Sequence, residues 1–335
     1  MLPDLTDVLA GLRVVSLPLV TRFRGITVRE AALWEGPAGW TEFSPFLEYG
    51  DDESATWLAA AYDFADPGSP PDWGTAGHRT SIRVNATIPA VAPDRVADIL
   101  ARFPGCRTAK VKVAEAGQVL ADDIARVARV RHVMGADARL RVDANGGWSL
   151  AEAQAACEAL APFDLEYMEQ PCASVDDLSA LRSTNPGIAI AADESIRKAD
   201  DPMLVRERHA ADVMVIKAAP LGGISAALDV VRRVGIPAVV SSALETSVGL
   251  SMGAYLAAAL PDTFDAGLGT ASLLAADVTA DPLIPRNGTI DLRRVVPDAS
   301  LLAAHAVDGD RTDWWRARVE RCHRILERTG YFKPL

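Results

Sequence analysis

The chain has 335 residues, a length that suggests two domains or one large barrel with an attachment. Its 45 acidic residues outnumber its 34 lysines and arginines, and the resulting net charge of −11 argues against nucleic-acid binding. With 49% hydrophobic and 24% charged residues, the composition also excludes a disordered or fibrous chain. We therefore expect a folded protein with a sizeable core.

The N-terminal segment carries Asp4 and Asp7, where a secretory signal would carry basic residues. The most apolar stretch, residues 247–260, is shorter than the roughly 20 residues of a membrane span, so it predicts a buried helix. The four cysteines are far apart and form no CxxC pair, which argues against a disulfide framework or a structural zinc site. These features predict a cytoplasmic protein with no membrane partner.

Short apolar runs alternate with turn residues over residues 12–50, as is typical of a small antiparallel sheet. A Pro/Gly-rich stretch at residues 66–74 predicts a linker. Near the end of the chain, residues 313–328 predict a charged helix that packs back on the first domain. We therefore expect an N-terminal α+β domain at residues 1–80, joined by residues 290–335.

Between these parts, residues 81–289 predict a second, larger domain with a barrel fold. Eight short β-rich runs recur there, most of them separated by amphipathic helical stretches. Strands that alternate with helices form a parallel sheet, and eight of them favour a closed barrel over an open sheet. The eight runs are residues 81–85, 108–113, 140–143, 165–169, 188–193, 213–217, 238–242 and 264–269.

Charged residues end five successive strands of this predicted barrel, at intervals of about one strand–helix unit. They are Lys112 (with Lys110 on the same face), Asp143 (with Asn145), Glu169, Asp193 and Lys217. One such residue is more often a helix cap or a surface charge, but five in succession favour a site, because barrel enzymes place their active sites at the carboxyl ends of the strands.

The residue types at these ends indicate the chemistry. Three converging carboxylates, Asp143, Glu169 and Asp193, repel one another unless a cation neutralises them, and hard oxygen ligands favour Mg²⁺. Glu194 is an alternative ligand to Asp193, although strand alternation favours Asp193. Lysines on opposite sides of a metal-bound carboxylate, Lys112 and Lys217, are suited to removing the neighbouring proton.

The five strand ends resemble the enolase superfamily, in its muconate-lactonising subgroup, over almost the whole chain. The resemblance implies a (β/α)7β TIM-like barrel with an α+β N-terminal capping domain. It also implies that Asp143, Glu169 and Asp193 bind Mg²⁺, with Mn²⁺ as a substitute, and that Lys112 and Lys217 are catalytic.

Three further segments resemble one dehydratase group of this subgroup: TRFRG at 21–25, GWTEFSPF at 39–46 and SSALE at 241–245. This narrower resemblance implies a lyase of menaquinone biosynthesis that dehydrates a small cyclic dicarboxylate with a succinyl tail. The expected substrate contacts are Lys110, Asn145, Ser241, Gly267, Arg22 and Arg24.

Other functions remain open from the sequence. The same lysines could racemise N-succinyl amino acids or epimerise dipeptides by acting on opposite faces of the substrate. Lys112 or Lys217 could instead form a Schiff base in an aldolase, and a non-catalytic barrel is a further alternative. The sequence leaves the oligomeric state open.

Overall fold

The computed structural model describes residues 2–68, 79–185, 187–198 and 202–330. Within these ranges the chain forms a three-stranded antiparallel sheet, a seven-stranded parallel sheet and a two-stranded sheet. The linker predicted at residues 66–74 lies outside the described residues from residue 69 onward.

The N-terminal sheet has the antiparallel order β1–β2–β3, as the alternating pattern predicts. A two-residue turn joins β1 to β2, and both of its residues, Arg24 and Gly25, have positive φ angles of 50° and 80°. Such turns match the twist of the flanking strands. The strands are β1 (Arg13–Phe23), β2 (Ile26–Gly36) and β3 (Gly39–Phe43).

Helices from both ends of the chain cover this sheet: α1 (Leu5–Gly11), α2 (Asp51–Ala65) and α12 (Gly309–Thr329). The C-terminal helix packs against α2, and its Trp315 indole donates a 2.7 Å hydrogen bond to Glu30 of β2. Arg318 of the same helix donates to the backbone carbonyls of Phe46 and Tyr49. The C-terminal segment thus completes the core of the N-terminal part.

The seven-stranded sheet is parallel, and its strands run in chain order from one edge to the other. Its two edges are joined by residues 266 and 267. Asn85 N, just before the first strand, donates to the Ala266 carbonyl over 2.9 Å, and Gly267 N donates to the Val240 carbonyl of the last strand over 2.8 Å. The predicted barrel class is therefore confirmed. Its strands are β5 (Ala86–Ile88), β6 (Thr108–Lys112), β7 (Arg139–Asp143), β8 (Leu165–Glu169), β9 (Ile190–Ala192), β10 (Val213–Ile216) and β11 (Ala238–Val240).

Two predicted barrel strands are placed differently. The first was expected at residues 81–85, but β4 (Ser81–Arg83) pairs antiparallel with β12 (Thr289–Asp291), and the fully buried β5 begins the barrel instead. The last was expected at residues 264–269, where the structure has only isolated bridges. The glycines of that segment weaken a strand, because they contribute no side chain to pack.

Helices alternate with the barrel strands. The apolar stretch around residues 247–260 forms a buried helix, as predicted, and no helix in the described ranges has the length and apolar character needed to cross a bilayer. The helices are α3 (Val96–Leu100), α4 (Leu120–Met134), α5 (Leu150–Leu160), α6 (Val175–Thr184), α7 (Glu194–Arg197), α8 (Met203–Glu207), α9 (Ile224–Val234), α10 (Ser247–Ala258) and α11 (Ala299–Ala304), with short 3₁₀ turns at Pro93–Arg95, Ala161–Phe163 and Gly269–Leu273.

Candidate active site

The barrel register brings the charged strand ends to one level. Lys112 of β6 pairs in register with Asp143 of β7, and Asp143 pairs with Glu169 of β8. Asp193 directly follows β9, and Lys217 directly follows β10. All of these side chains are buried. The structure therefore gathers the five predicted strand-end residues at the barrel mouth, by which we mean the carboxyl ends of the barrel strands.

Each of the three carboxylates at the mouth is held by a lysine. Lys110 donates to both Glu169 oxygens over 2.9 Å and lies 3.1 Å from Asp143 Oδ2. Lys112 donates to the same Asp143 oxygen over 2.5 Å, and Lys217 donates to Asp193 Oδ2 over 2.5 Å. Opposite charges at these distances offset much of the cost of burying the carboxylates.

The surroundings of the carboxylates at the barrel mouth shift their pKa values in opposite directions. Burial raises the pKa of Glu169 to about 7, and the charges of Asp143 and Asp193 add to this effect. Burial would also raise the pKa of Asp143, but the charges of Lys110 and Lys112 outweigh it and hold that pKa well below its ordinary value. The like charges of Asp143 and Asp193 thus add to burial in favouring the protonated form of Glu169.

The pKa values of two of the lysines at the mouth also shift in opposite directions. Burial, together with the charge of Arg197, lowers the pKa of Lys217. Burial acts in the same direction on Lys110, but the charges of Asp143 and Glu169 outweigh it and raise the pKa of Lys110. Lys110 is thus held as a cation against two carboxylates.

The donor set fits a hard divalent cation. Asp143, Glu169 and Asp193 supply only oxygen donors from three neighbouring strands, which is the ligand chemistry that Mg²⁺ prefers. In the described part of the chain, no three Asp, Glu, His or Cys side chains already stand as a metal-binding group. The three carboxylates are instead turned toward lysine and arginine side chains.

Asp193 and Glu194 were alternative candidates for the third cation ligand, and the structure places their side chains differently. Asp193 is fully buried and contacts Lys217, whereas Glu194 Oε1 accepts from Asn145 Nδ2 over 3.2 Å. Asn145 has a φ of 47° and also accepts a hydrogen bond from Lys112. Asp193 therefore lies with the other carboxylates, and Glu194 lies at the rim.

Two adjoining cavities open at the mouth. The inner, narrow cavity is lined by Lys110, Lys112, Lys217 and Asn145, and also by Arg24, Ser241 and Gly267. The outer cavity, of about 620 Å³, is lined by both Arg22 and Arg24. Gly267 makes room beside Ser241, because a Cβ at this position would lie 2.5 Å from the Ser241 hydroxyl oxygen. The predicted contact residues thus line two cavities that share Phe23, Arg24, Lys112 and Asn145.

Several polar residues near the site were missed by the sequence reasoning. Gln170, which has a φ of 39°, accepts from the backbone N–H groups of Asp193 (2.9 Å) and Ser195 (3.2 Å) and so fixes the turn after β9. Arg197 donates to Asp193, and Tyr49 contacts Arg197. Gln170 could have been found from its place beside a strand-end glutamate, whereas no local signal marks Tyr49.

Lysine usage is a signal that could have sharpened the prediction. The chain has only five lysines, and Lys110, Lys112 and Lys217 are three of them. Lysine can lose its proton when buried, whereas arginine stays charged in proteins. The concentration of lysine at strand ends in an arginine-rich chain therefore indicates proton transfer.

The segments GWTEFSPF and SSALE meet where the N-terminal sheet joins the barrel. Glu42 accepts hydrogen bonds from the Thr246 hydroxyl over 2.6 Å and from Gly249 N over 3.0 Å at the start of α10. Arg29 of β2 donates to the backbone carbonyls of Ala243 and Leu244 over 3.3 and 3.2 Å. These contacts attach β2 and β3 to the loop that carries Ser241.

This joint predicts a pH-dependent stability. Burial raises the pKa of Glu42 to about 7, with a contribution from Glu245, against an ordinary value of 4.5. The folded state then binds more protons than the unfolded state, so the stability falls as the pH rises from about 4.5 to about 7. Glu42→Gln should gain on the order of 3 kcal/mol relative to the wild type across this window.

Denaturant unfolding at pH 5 and pH 8 measures this difference. Glu158→Gln, at an exposed position of α5, serves as the control and should change the stability equally at both pH values. An equal stability difference between Glu42→Gln and the wild type at both pH values would contradict the prediction.

The fold and the site define the class of protein, and comparison with known families agrees. The family described as "Enolase N-terminal domain-like" matches residues 14–65, and the family described as "Enolase C-terminal domain-like" matches residues 94–299. The chain belongs to the enolase superfamily.

Curated relatives define the family more narrowly. An o-succinylbenzoate synthase from Mycolicibacterium smegmatis is 52% identical over 326 residues, which cover 97% of this chain and 98% of the relative. An o-succinylbenzoate synthase from Mycobacterium leprae is 52% identical over 328 residues, covering 97% and 95%. The chain is thus a member of the o-succinylbenzoate synthase family, which confirms the resemblance found in the sequence.

Solved structures agree on the fold. Muconate lactonizing enzyme from Pseudomonas fluorescens, complexed with muconolactone, superposes with a TM-score of 0.75 at 20% identity, covering 89% of this chain and 98% of that one. N-succinyl Arg/Lys racemase from Bacillus cereus superposes with a TM-score of 0.74 at 20% identity, covering 89% and 97%. At these identities the likeness concerns the fold alone.

Proposed function

We propose that this enzyme dehydrates 2-succinyl-6-hydroxy-2,4-cyclohexadiene-1-carboxylate to o-succinylbenzoate in menaquinone biosynthesis. The observation that carries the proposal is the pair Lys112 and Lys217, which line one cavity while each contacts a different carboxylate of the mouth. This chain is 52% identical to two o-succinylbenzoate synthases over 97% of its length. This identity supports the choice of dehydration among the reactions of the superfamily.

Asp143, Glu169 and Asp193 are the residues that would hold Mg²⁺, or Mn²⁺ in its place. When bound, the ion supplies positive charge that stabilises the negative charge developing on the substrate carboxylate. Lys110 already pairs with Glu169 and Asp143, so we assign it to balancing the charge of this cluster beside the substrate. Asn145, which contacts Lys112, positions that amine at the substrate.

Lys112 acts as the general base in this proposal. Its amine takes the proton from the carbon next to the ring carboxylate, and the electron pair of that C–H bond moves into an enediolate. The resulting ammonium then gives its proton to the hydroxyl group that leaves the ring. One proton is taken and one is returned on the same face, so the net loss is one water molecule.

Lys217 lies on the other ring face and acts through its charge. A cation in a buried cavity stabilises a nearby enediolate more strongly than it would in water. Its ion pair with Asp193 fixes the position of its amine and favours its charged form, against the effects of burial and of the Arg197 charge. Lys217 therefore lowers the barrier without exchanging a proton with the substrate.

The succinyl tail is assigned to the other side of the cavity. Ser241 and Gly267, at the ends of the seventh strand and the closing segment, line the inner cavity and would meet the tail carboxylate. Arg24 lines both cavities, whereas the exposed Arg22 lines only the outer one, so Arg24 is the better candidate for contact with the dianionic substrate.

The domain division and the cellular setting belong to the same proposal. We assign residues 1–80 with 290–335 to the capping domain and residues 81–289 to the barrel. The partner is a small dicarboxylate rather than nucleic acid or a membrane. We place the enzyme in the cytoplasm, which the four free cysteines support, because a reducing compartment keeps thiols unpaired.

The test is product formation. With Mg²⁺, the purified protein should convert the hydroxycyclohexadiene substrate to o-succinylbenzoate, measured by chromatography. EDTA should abolish turnover, and excess Mg²⁺ or Mn²⁺ should restore it. No product in the presence of Mg²⁺, or full activity in EDTA, would overturn the proposal.

The racemase or epimerase alternative is separated by isotope exchange. Two lysines at one cavity could also act as bases on opposite faces. In heavy water, a dehydratase should leave an N-succinyl amino acid unexchanged, whereas a racemase would place deuterium at its α carbon. Membership of the enolase superfamily lends no support to the Schiff-base aldolase or the non-catalytic barrel.

A further inference from the structure

A buried arginine joins the capping domain to the carboxylates of the barrel mouth. Arg197 ends the short helix α7, which follows β9, and its side chain is 2% exposed. Its Nε donates to Asp193 Oδ1 over 2.8 Å, and its Nη2 donates to Glu194 Oε1 over 2.6 Å. Its Nη1 donates to the hydroxyl oxygen of Tyr49 over 3.4 Å.

The two acidic partners of Arg197 lead directly to the two catalytic lysines. The other oxygen of Asp193 accepts from Lys217 over 2.5 Å. Glu194 Oε1 also accepts from Asn145, which in turn accepts from Lys112. One guanidinium group therefore lies at the centre of a hydrogen-bonded path between both amines. Both acidic contacts lie within one turn of α7, and the contact with Tyr49 extends the cluster beyond this helix.

The third partner, Tyr49, comes from the segment between β3 and α2. Its ring packs edge-on against Phe46 at a centroid distance of 5.4 Å, and the Arg24 guanidinium lies 4.5 Å over the Phe46 ring. Lys198 adds a second link, because its amine lies 4.1 Å from the centre of the Tyr49 ring. Packed side chains thus connect the β1–β2 turn to Arg197.

We propose that Arg197 is a positioning residue that orients Asp193 for divalent-cation binding and Glu194 toward Asn145, and that Tyr49 couples this orientation to the packing of the capping domain on the barrel. The catalytic consequence rests on the proposed function, whereas the effect on cation binding does not. Fixed donors that orient metal ligands change metal affinity or activity by about 10–100-fold when they are removed.

Binding of Mn²⁺ to the full chain, followed by the electron paramagnetic resonance of free Mn²⁺, tests this inference. Arg197→Met should weaken Mn²⁺ binding by about 10–100-fold. Arg197→Lys, which keeps a cation beside Asp193, should recover part of the affinity. Arg232→Met, at an exposed helix ion pair far along the chain, should bind as the wild type does. Circular dichroism checks that each variant is folded.

The variants separate the two parts of the proposal. Wild-type Mn²⁺ affinity in folded Arg197→Met would overturn the positioning role, and if this variant does not fold, an unchanged affinity in Arg197→Lys would do the same. Tyr49→Phe removes only the hydroxyl contact and should weaken Mn²⁺ binding about 3-fold, the loss of one modest hydrogen bond. An unchanged affinity in Tyr49→Phe would overturn the coupling to the capping domain.

The outcome also stays distinct from that of the proposed function. A wild-type protein that binds Mn²⁺ but forms no o-succinylbenzoate would refute the proposed dehydration. The Mn²⁺ affinities of the Arg197 variants would then still decide the positioning role. A wild-type protein that does not bind Mn²⁺ would overturn the positioning role itself. Where product forms, we expect Arg197→Met to lower kcat more than it changes KM, because Arg197 does not line either cavity.

Discussion

Lys112→Ala should lower kcat by about 10⁴-fold, the upper range for loss of a positioned general base. In the wild type, the Lys112 amine is buried against Asp143 and Asn145 and lines the inner cavity. Without it, the amine left on that strand is Lys110, which is held as a cation against Asp143 and Glu169 and so is not available to take the proton. Single-turnover kinetics with saturating Mg²⁺ measures the effect on the chemical step.

Lys112→Arg is the matched variant for this prediction. Arginine keeps the positive charge and much of the length of the side chain, but it does not give up its proton in proteins. Lys112→Arg should therefore be nearly as inactive as Lys112→Ala, while Mn²⁺ binding stays measurable in both. A Lys112→Arg variant that turns over at a rate near that of the wild type would show that Lys112 acts only through charge.

Lys217→Ala should lower kcat by about 10²–10³-fold, the usual cost of losing one electrostatic group at a developing oxyanion. Its amine is buried beside Asp193 and lines the inner cavity, where its charge is weakly screened. Steady-state and single-turnover rates at fixed Mg²⁺ measure the effect.

Lys217→Arg is the matched variant for this prediction, and here we expect the arginine to retain activity. Lys217→Arg keeps the charge, so it should recover part of the activity lost in Lys217→Ala. In a two-base racemisation, neither variant would retain activity, because both lysines would have to exchange a proton. Equal loss in Lys217→Arg and Lys217→Ala would therefore contradict a purely electrostatic role for Lys217.

Much of the fold was predictable because each signal is local. Apolar runs of strand length that alternate with amphipathic helices predict a barrel, and the structure has seven strands and a closing segment. The errors fall at the seam of the barrel. Residues 81–83 were assigned to it, but they pair with residues 289–291, a partner about 200 positions away that no local pattern indicates.

The candidate site divides in the same way. Side-chain alternation and spacing placed Lys112, Asp143 and Glu169 together, and the strand register brings them to one level. The links through Arg197 and Tyr49 were not predictable, because they join side chains 148 positions apart in sequence. Their geometry depends on how the capping domain rests on the barrel.

The sequence by itself determined the class of fold, the chemical groups at the strand ends and the type of reaction they suit. These properties follow from strand periodicity and residue chemistry, which act over a few residues. Only the tertiary structure decided where the barrel closes, which lysine holds which carboxylate, and that Arg197 connects the mouth to the capping domain. Those features depend on distances between remote segments, which are fixed when the core packs and the strands pair.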